Sequence, residues 1–314
     1  MMSTPGLEPL VAELGRYPGP FGIVARPHSG TRLLAEALLI NGVYLGATVS
    51  KGYLDSHDWY RFFTVPLLGN RSFCPDSQLT LPAAGDRFVE RCLVKALEHY
   101  LGHRRYDPGH AVIDPVRPLG PGGWGWKMSE MVLLLPTVRR FFPDARIIHL
   151  IRDGRDVTLS DNGFFQLTNR NTGQLAEDHR RFLRRSTFGD DDRQAWRGID
   201  LDDADAIHRN RFLLQMKSWM TCVSAGRSFG RAAPDSYLEV RYEDLCTQPQ
   251  VEAGRAFEFL GIEMVDETRE FLAKAPRRTA IGKWHEWPFT PEERADFDAA
   301  VTLGTPLLTE LGYR

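Results

Sequence analysis

The sequence predicts a three-layer α/β fold, in which helices cover both faces of a central, mostly parallel sheet. Two strand–loop–helix units indicate this fold: the apolar run Phe21–Ala25 and the branched aliphatic run Ala145–Ile151 each enter a loop and then a helical pattern. A helical segment, Val132–Phe142, precedes the second run, and a helix followed by a parallel strand is the rhythm of βαβ units. A third strand is predicted at Tyr237–Arg241.

The length and composition fit one domain that spans residues 1–314. With 314 residues and 42% hydrophobic content, the chain can bury a full core. A polar stretch at about 162–211, which holds three consecutive aspartates from Asp190 to Asp192, has few regularly spaced apolar residues. We expect a lid or insertion there, and an ordinary solvated loop is the alternative.

Charge and cysteine usage exclude several function classes. The formal net charge of −2 gives no global basic field, which argues against a nucleic-acid partner, so any anion site must be local. The four cysteines are far apart and indicate reduced thiols of a cytoplasmic protein rather than a zinc site or a disulfide framework. The N-terminus has no basic start before an apolar run, and no stretch approaches about eighteen apolar residues, so we expect a soluble, unexported protein without a membrane span.

The loop after the first predicted strand, Arg26 to Thr31, is suited to bind a phosphate. Its backbone N–H groups from His28 to Arg32 precede a helix, whose N-terminus attracts anions, and Gly30 permits close approach of the backbone. The lysine that a nucleotide triphosphatase loop requires is absent at that spacing. Taken alone, the turn is equally compatible with an ordinary strand–helix connection.

The second unit adds Arg152 and Ser160. Arg152 follows the end of a predicted central strand, where open α/β sheets bind ligands, and Ser160 comes about two helical turns later. A forked arginine donor and a compact serine donor suit a phosphomonoester. The alternative is that Arg152 forms a surface ion pair with Asp153 or Asp156.

These two loops resemble those of the PAPS-dependent sulfotransferases, enzymes that use 3′-phosphoadenosine 5′-phosphosulfate (PAPS). Phe21 to Leu39 resembles the family's 5′-phosphosulfate loop, and Ile147 to Ser160 resembles its 3′-phosphate motif, whose arginine and serine match Arg152 and Ser160. The first loop has His28 where many members have a lysine or arginine.

Two later segments extend the resemblance to about Thr290. Arg277 to Trp284 is similar to the family's Arg-Lys-Gly-x-x-Gly-Asp-Trp segment, which closes over the 3′-phosphate; Thr279 and Lys283 depart from it. Tyr242-Glu-Asp-Leu resembles a family block whose tyrosine lies by the adenine. The motifs occur in the family's order, which makes the set specific.

The resemblance implies a three-layer P-loop-type fold and an enzyme that transfers sulfonate from PAPS to a hydroxyl or amine of a small-molecule or glycan-type acceptor. The displacement would be in-line and independent of metal, and it would leave adenosine 3′,5′-bisphosphate. A homodimer is a possible assembly. The resemblance assigns these residues to cofactor binding: Arg26, His28, Ser29, Gly30, Thr31, Arg32, Arg152, Ser160, Tyr242, Arg277, Arg278, Lys283 and Trp284.

The catalytic candidates also follow from the resemblance. Lys127 resembles a lysine that members place near the bridging oxygen, and Ser129 replaces the histidine base of the phenol- and steroid-modifying members. Glycan- and tyrosine-modifying members use a glutamate about twenty residues after the first loop, a region that here offers three possible bases. The candidates are therefore Lys127 and His28 for charge and Asp55, His57 and Asp58 for the base.

Tryptophans and rival functions leave further alternatives open. Trp59, Trp124, Trp126 and Trp287 could line an acceptor cleft by stacking, or could simply pack in the core, and His149 in a predicted strand is expected to be a core histidine. A P-loop kinase would share the fold, but it would need a lysine-bearing loop and an acidic strand end for magnesium. A non-catalytic nucleotide-binding relative is the other alternative.

Overall fold

The fold is built on a parallel sheet. The computed structural model describes residues 6–69, 83–107, 118–160, 206, 209–274 and 280–313. Within them, four strands form one sheet in the order β2-β1-β3-β4, with all neighbours parallel. The strands are β1 (Phe21–Ala25), β2 (Gly125–Lys127), β3 (Arg146–Ile151) and β4 (Tyr237–Arg241).

Helices follow or separate the strands. They are α1 (Leu7–Leu14), α2 (Arg32–Ile40), α3 (His57–Trp59), α4 (Val65–Gly69), α5 (Ala83–Tyr100), α6 (Leu135–Phe141), α7 (Gly154–Thr158), α8 (Arg211–Ala232), α9 (Tyr242–Thr247), α10 (Pro249–Leu260), α11 (Asp266–Lys274) and α12 (Pro291–Glu310). A π-helical turn (Tyr60–Thr64) joins α3 to α4, and the 3₁₀ turns are Ser129–Leu134, Pro234–Ser236 and Lys283–His285.

Side-chain alternation along the central strand separates the two helical layers. Ile23 and Ala25 of β1 pack into a cluster with α2, α9, α10 and α11, whereas Val24 belongs to a cluster with α1, α5, α6 and α8. Since both faces of the sheet are covered, the two central strands, β1 and β3, are mostly apolar and buried. The predicted three-layer fold with a central parallel sheet is confirmed.

The register of the sheet determines where the site lies. Phe21 of β1 lies opposite Gly125 of β2 and Arg146 of β3, and Ile151 of β3 lies opposite Arg241 of β4. All four carboxyl ends therefore meet at one edge, which is where open α/β sheets bind ligands. Each strand delivers a polar or charged residue to that edge: Arg26, Lys127, Arg152 and Tyr242.

The helix predicted at Val132–Phe142 exists, but it has two parts. The 3₁₀ turn Ser129–Leu134 precedes α6, which begins at Leu135. Pro136 lies in the first turn of α6, where a residue without an N–H costs nothing, and it could not continue a preceding α-helix. His149 is a core histidine as expected: it is fully buried and its Nδ1 lies 2.6 Å from the Tyr237 hydroxyl.

Most of the polar stretch at 162–211 lies outside the described residues, so the lid or insertion stays a prediction. Its last residue, Arg211, begins α8, a helix of 22 residues. Helix α8 packs against α7 and α12 and extends to the cluster below β1. In the part of the chain that the structure describes, no helix is long and apolar enough to cross a membrane.

Candidate functional site

The loop between β1 and α2 makes a tight turn at the carboxyl edge of the sheet. The carbonyl of Arg26 accepts hydrogen bonds from the Ser29 N–H at 3.2 Å and from its Oγ at 2.7 Å. His28 and Gly30 have left-handed backbone angles, with φ of 74° and 87°. A Cβ at Gly30 would overlap the ring of Tyr242, so this position requires glycine both for its conformation and for space.

Arg26 lies beneath this loop. Its guanidinium donates to the Pro27 carbonyl at 2.8 Å and to the side-chain oxygen of Gln215 on α8. Burial lowers the pKa of Arg26 to about 10, so it keeps its charge at neutral pH. Gln215 had no signal in the sequence, because a glutamine in a long helix 189 residues away marks no motif.

The charges of four side chains act on the imidazole of His28. Burial is the main reason why the pKa of His28 lies well below its usual value, and the charges of Arg26, Lys127, Lys283 and Arg152 lower it further. His28 is therefore neutral at neutral pH and offers hydrogen bonds rather than charge. We call these four cations the cationic cluster. Arg32, in contrast, points along the exposed side of α2 toward Glu36, 3.9 Å away.

Arg152 joins three elements at this edge. Its guanidinium donates to the His28 carbonyl at 3.2 Å and to the Ala280 carbonyl, and it lies 4.7 Å from the ring centre of Tyr242. Its Nε is buried without a hydrogen-bond partner among the described residues. The ion pair with Asp156 is present at 3.6 Å, but it is buried, with side chains 6% and 1% exposed, and therefore is not a surface pair.

Helix α7 holds the segment at 280–284 against this arginine. Asp156 accepts from the backbone N–H groups of Gly282 and Trp284, and the Lys283 ammonium donates to the Leu159 carbonyl at 2.7 Å. Ser160, half-buried, lies two residues after the end of α7. Of the predicted cofactor residues, Arg277 and Arg278 lie outside the described residues. The structure thus gathers Arg152, Lys283, Trp284 and Tyr242 around one helix and strand end.

Lys127 links the cationic cluster to a group of carboxylates. Its ammonium lies 2.5 Å from Asp55 Oδ1 and donates to the Tyr53 carbonyl at 3.2 Å. Ser56 fixes the segment in place: its Oγ accepts from the Lys127 N–H at 3.0 Å, and its own N–H donates to the Lys127 carbonyl at 2.9 Å. Asp55 keeps 29% of its side chain exposed, so it can still meet a ligand.

The other two candidate bases are held elsewhere. Asp58 is fully buried, and its Oδ2 accepts from the Thr48 N–H at 3.0 Å; burial raises its pKa to about 6. The Nδ1 of His57 lies 2.7 Å from the hydroxyl of Tyr106. Only Asp55 of the three therefore contacts Lys127.

Glu130 is a site residue that the sequence reasoning missed. It is buried in the 3₁₀ turn that follows β2, and burial raises its pKa to about 7, with the charge of Asp55 adding to the rise and Lys127 and Arg26 opposing it. It lies three residues after Lys127 and directly after Ser129, and it belongs to no motif that would mark it in the sequence. We call Asp55 and Glu130 the carboxylate cluster.

A family model with the description "Sulfotransferase family" matches residues 71–267, more than half of the chain. The chain belongs to the sulfotransferase family. The recognition based on the motifs is thereby confirmed at the level of the family. A sequence comparison with curated proteins finds no match.

Solved structures of other sulfotransferases overlap the chain at low identity. The sulfotransferase domain from the curacin biosynthetic pathway is 15% identical, with 95% of this chain and 98% of that one covered and a TM-score of 0.45. Sulfotransferase STF9 from Mycobacterium avium is 12% identical (97% and 81% covered, TM-score 0.45). Mouse sulfotransferase SULT7A1, solved with PAP, is 17% identical (97% and 91% covered, TM-score 0.43).

Of the two alternatives for the tryptophans, packing in the core holds for three of the four residues in this sulfotransferase. Trp59, Trp124 and Trp126 are at most 2% exposed, and their rings pack on one another and on Phe142 in the core below the sheet. They cannot stack on an acceptor. Trp287 is only partly buried, and the Lys283 ammonium lies 5.8 Å from its ring centre, which puts it near the cationic cluster.

Proposed function

We propose that the chain transfers a sulfonate group from PAPS to a hydroxyl or amine of a small-molecule or glycan-type acceptor, by in-line displacement without a metal. The observation that carries this proposal is the placement of Arg26, Lys127 and Arg152 at the carboxyl ends of three adjacent strands, with Arg152 bound to the His28 carbonyl and Lys283 held against the end of α7. Four cations at one loop beside a helix N-terminus suit a ligand with several negative groups.

The cofactor residues fit PAPS by their donors. Arg152 is the strongest case, because its buried Nε lacks a partner among the described residues, and its guanidinium lies over the Tyr242 ring, where an adenine edge could also pack. Ser160 adds a hydroxyl at the end of α7. We assign these residues, with Lys283, Trp284, Arg277 and Arg278, to the 3′-phosphate and adenosine. Ser29, Gly30, Thr31 and Arg32 would hold the 5′-phosphosulfate.

The electrostatic work of the reaction falls to the cationic cluster. When bound, PAPS supplies the sulfonate and a phosphate leaving group. Lys127 and Arg26, together with the backbone N–H groups of the first loop, are fixed donors at a largely buried site, where they stabilise developing negative charge far better than in water. Neutral His28 adds a hydrogen bond beside them.

We propose Asp55 as the general base. It contacts Lys127 and is partly exposed, whereas Asp58 is fully buried with an oxygen bound to the Thr48 N–H, and His57 is bound to Tyr106. We also propose a cytoplasmic location, which the three buried free thiols among the described residues, Cys92, Cys222 and Cys246, support.

Calorimetric titration tests the cofactor assignment. Adenosine 3′,5′-bisphosphate should bind without metal at micromolar strength or better, and AMP, which lacks the 3′-phosphate, should bind about 100-fold more weakly. The variant Arg152→Ala should remove most of that difference, because it loses a donor to the 3′-phosphate, which AMP does not have.

Two other results of the binding and turnover measurements would favour an alternative function. Preference for ATP with magnesium would overturn the sulfotransferase mechanism and favour a kinase. Tight bisphosphate binding with no turnover of any phenol, amine or sugar supplied with PAPS would favour the non-catalytic nucleotide-binding relative.

A further inference from the structure

The carboxylate of Asp156 is fully buried in the short helix α7 and has no role in the proposed transfer. Its Oδ2 accepts from the Gly282 N–H at 2.8 Å, and its Oδ1 accepts from the Trp284 N–H at 3.3 Å. Its Oδ2 also lies 3.6 Å from the guanidinium of Arg152. One side chain therefore connects Arg152 to a segment more than 120 residues later in the chain.

The conformation of the segment suits a carboxylate. Gly282 has a left-handed φ of 70°, and the residues after it form a 3₁₀ turn, so nearby N–H groups point to the same side. Successive N–H groups in such a turn form a concave anion site. Asp156 fills this site from α7 with both of its oxygens.

The energetics favour docking of the segment. A fully buried carboxylate is unfavourable unless hydrogen bonds and a counter-charge compensate it. Burial raises the pKa of Asp156, while Arg152 and the two N–H groups oppose the rise. If the segment moved away, Asp156 would lose both backbone hydrogen bonds at once.

Three further contacts act in the same direction. The guanidinium of Arg152 donates to the Ala280 carbonyl, and the Lys283 ammonium donates to Leu159. The Arg155 guanidinium lies 4.2 Å from the ring centre of Trp284. Every one of them joins the segment at 280–284 to α7 or to a residue beside it, with Asp156 at the centre.

We propose that Asp156 is a positioning residue that latches the segment at 280–284 to α7 and orients Arg152, so that the groups for a 3′-phosphate are assembled before the nucleotide binds. The identity of the ligand rests on the proposed function, but the latch itself does not. In this arrangement Asp156 never touches the nucleotide and acts only through Arg152 and the segment.

Hydrogen exchange of the ligand-free protein tests the latch directly. In Asp156→Asn, an amide NH₂ would face one of the two N–H groups, so the Gly282 and Trp284 amides should exchange at least about tenfold faster than in the wild type. The matched control is Asn41→Ala. Asn41 holds another distant segment by accepting from the Val265 N–H at 2.8 Å, so its loss should accelerate exchange at Val265 and leave Gly282 and Trp284 unchanged.

Calorimetry tests the consequence for the ligand. Asp156→Asn should bind adenosine 3′,5′-bisphosphate about tenfold more weakly while AMP affinity stays within about twofold, and Asn41→Ala should change neither. A purely structural role would weaken both ligands together. If Asp156→Asn fails to fold, Gly282→Ala loosens the same contact from the other side, since its left-handed φ disfavours a Cβ.

The outcomes separate the two proposals. If hydrogen exchange at positions 282 and 284 is unchanged in both Asp156→Asn and Gly282→Ala, the latch is overturned. Faster exchange with undiminished bisphosphate affinity overturns its role in assembling the 3′-phosphate groups. If the wild type does not bind the bisphosphate, the proposed function fails, and the exchange data still decide whether Asp156 holds the segment.

Discussion

The cationic cluster and the carboxylate cluster lie side by side, yet the chain builds them in different ways. Arg26, Lys127 and Arg152 are carried by three adjacent parallel strands, so the sheet alone brings them together. The carboxylates come from the segment at 50–58 and from a 3₁₀ turn, and hydrogen bonds such as those of Ser56 with Lys127 hold them in place. Topology determines the first group, and loop conformation determines the second.

Burial also affects the two clusters differently. Arg26, with a pKa lowered to about 10, stays charged at neutral pH. In the carboxylate cluster, burial raises the pKa of Glu130 to about 7, so this group titrates close to neutrality. We infer that the cationic cluster determines affinity over a wide pH range and that the carboxylate cluster determines how turnover and stability vary with pH.

Asp55→Asn should have the largest effect and tests whether turnover depends on the carboxylate cluster. Without a base beside Lys127, kcat should fall by about 10²- to 10⁴-fold. The affinity for adenosine 3′,5′-bisphosphate should stay within about twofold of the wild type, because Asp55 contacts Lys127 rather than Arg152. Steady-state kinetics with PAPS and calorimetry measure the two quantities.

Asp58→Asn and His57→Ala, made singly, are the comparison variants for this experiment. Each should retain more turnover than Asp55→Asn, since neither residue contacts Lys127. If Asp55→Asn stayed active while one of the others lost turnover, the base would belong to that residue instead. If all three stayed active, the base would lie outside the segment at 50–58.

Glu130→Gln tests whether the carboxylate cluster, unlike the cationic cluster, titrates near neutral pH. Its folded pKa of about 7 lies above the ordinary value of 4.5, so between these values the folded state binds more protons than the unfolded state, and stability falls as pH rises. The neutral variant avoids this loss. We compare the free energy of unfolding of the variant with that of the wild type at each pH, by urea denaturation. The variant's advantage should be larger at pH 8 than at pH 5 by on the order of 1 to 3 kcal/mol.

The comparison between the two pH values is the control within this experiment, because a simple packing change would shift stability equally at both. An equal shift would show that Glu130 is already ionised in the folded protein throughout the range. The proximity of Asp55 would then not raise its pKa.

The sequence was a good guide where regular structure determines position. The apolar runs of β1 and β3 predicted the strands, and the structure pairs these two strands in parallel, so that the first loop and Arg152 follow neighbouring strand ends. Arg152 contacts the His28 carbonyl at 3.2 Å, although 124 residues separate them. Strand ends are predictable because a few consecutive residues show both the apolar run of a buried strand and the polar residue that follows it.

The sequence was a poor guide where tertiary packing decides. Trp59 and Trp126 have rings that can stack on a sugar or fill a core, and only the fold shows that they fill the core. Glu130 and Gln215 belong to no motif, so nothing local distinguishes them from surface residues of a turn and a helix. The role of Asp156 depends on a segment far along the chain, which no local pattern reveals.

Ser160→Ala should have the smallest effect and refines the cationic side of the comparison. The serine adds one hydroxyl donor where Arg152 supplies a charged fork, so bisphosphate affinity should fall by only about tenfold or less, and AMP affinity should not change. Thr158→Ala is the matched control: Thr158 is the last residue of α7, and its hydroxyl is buried without a hydrogen-bond partner among the described residues. Removing that hydroxyl should leave both affinities unchanged. If Thr158→Ala weakened the bisphosphate as much as Ser160→Ala, the loss would reflect the fit of α7 rather than a contact of Ser160, and the 3′-phosphate site would depend on Arg152 and the segment at 280–284 alone.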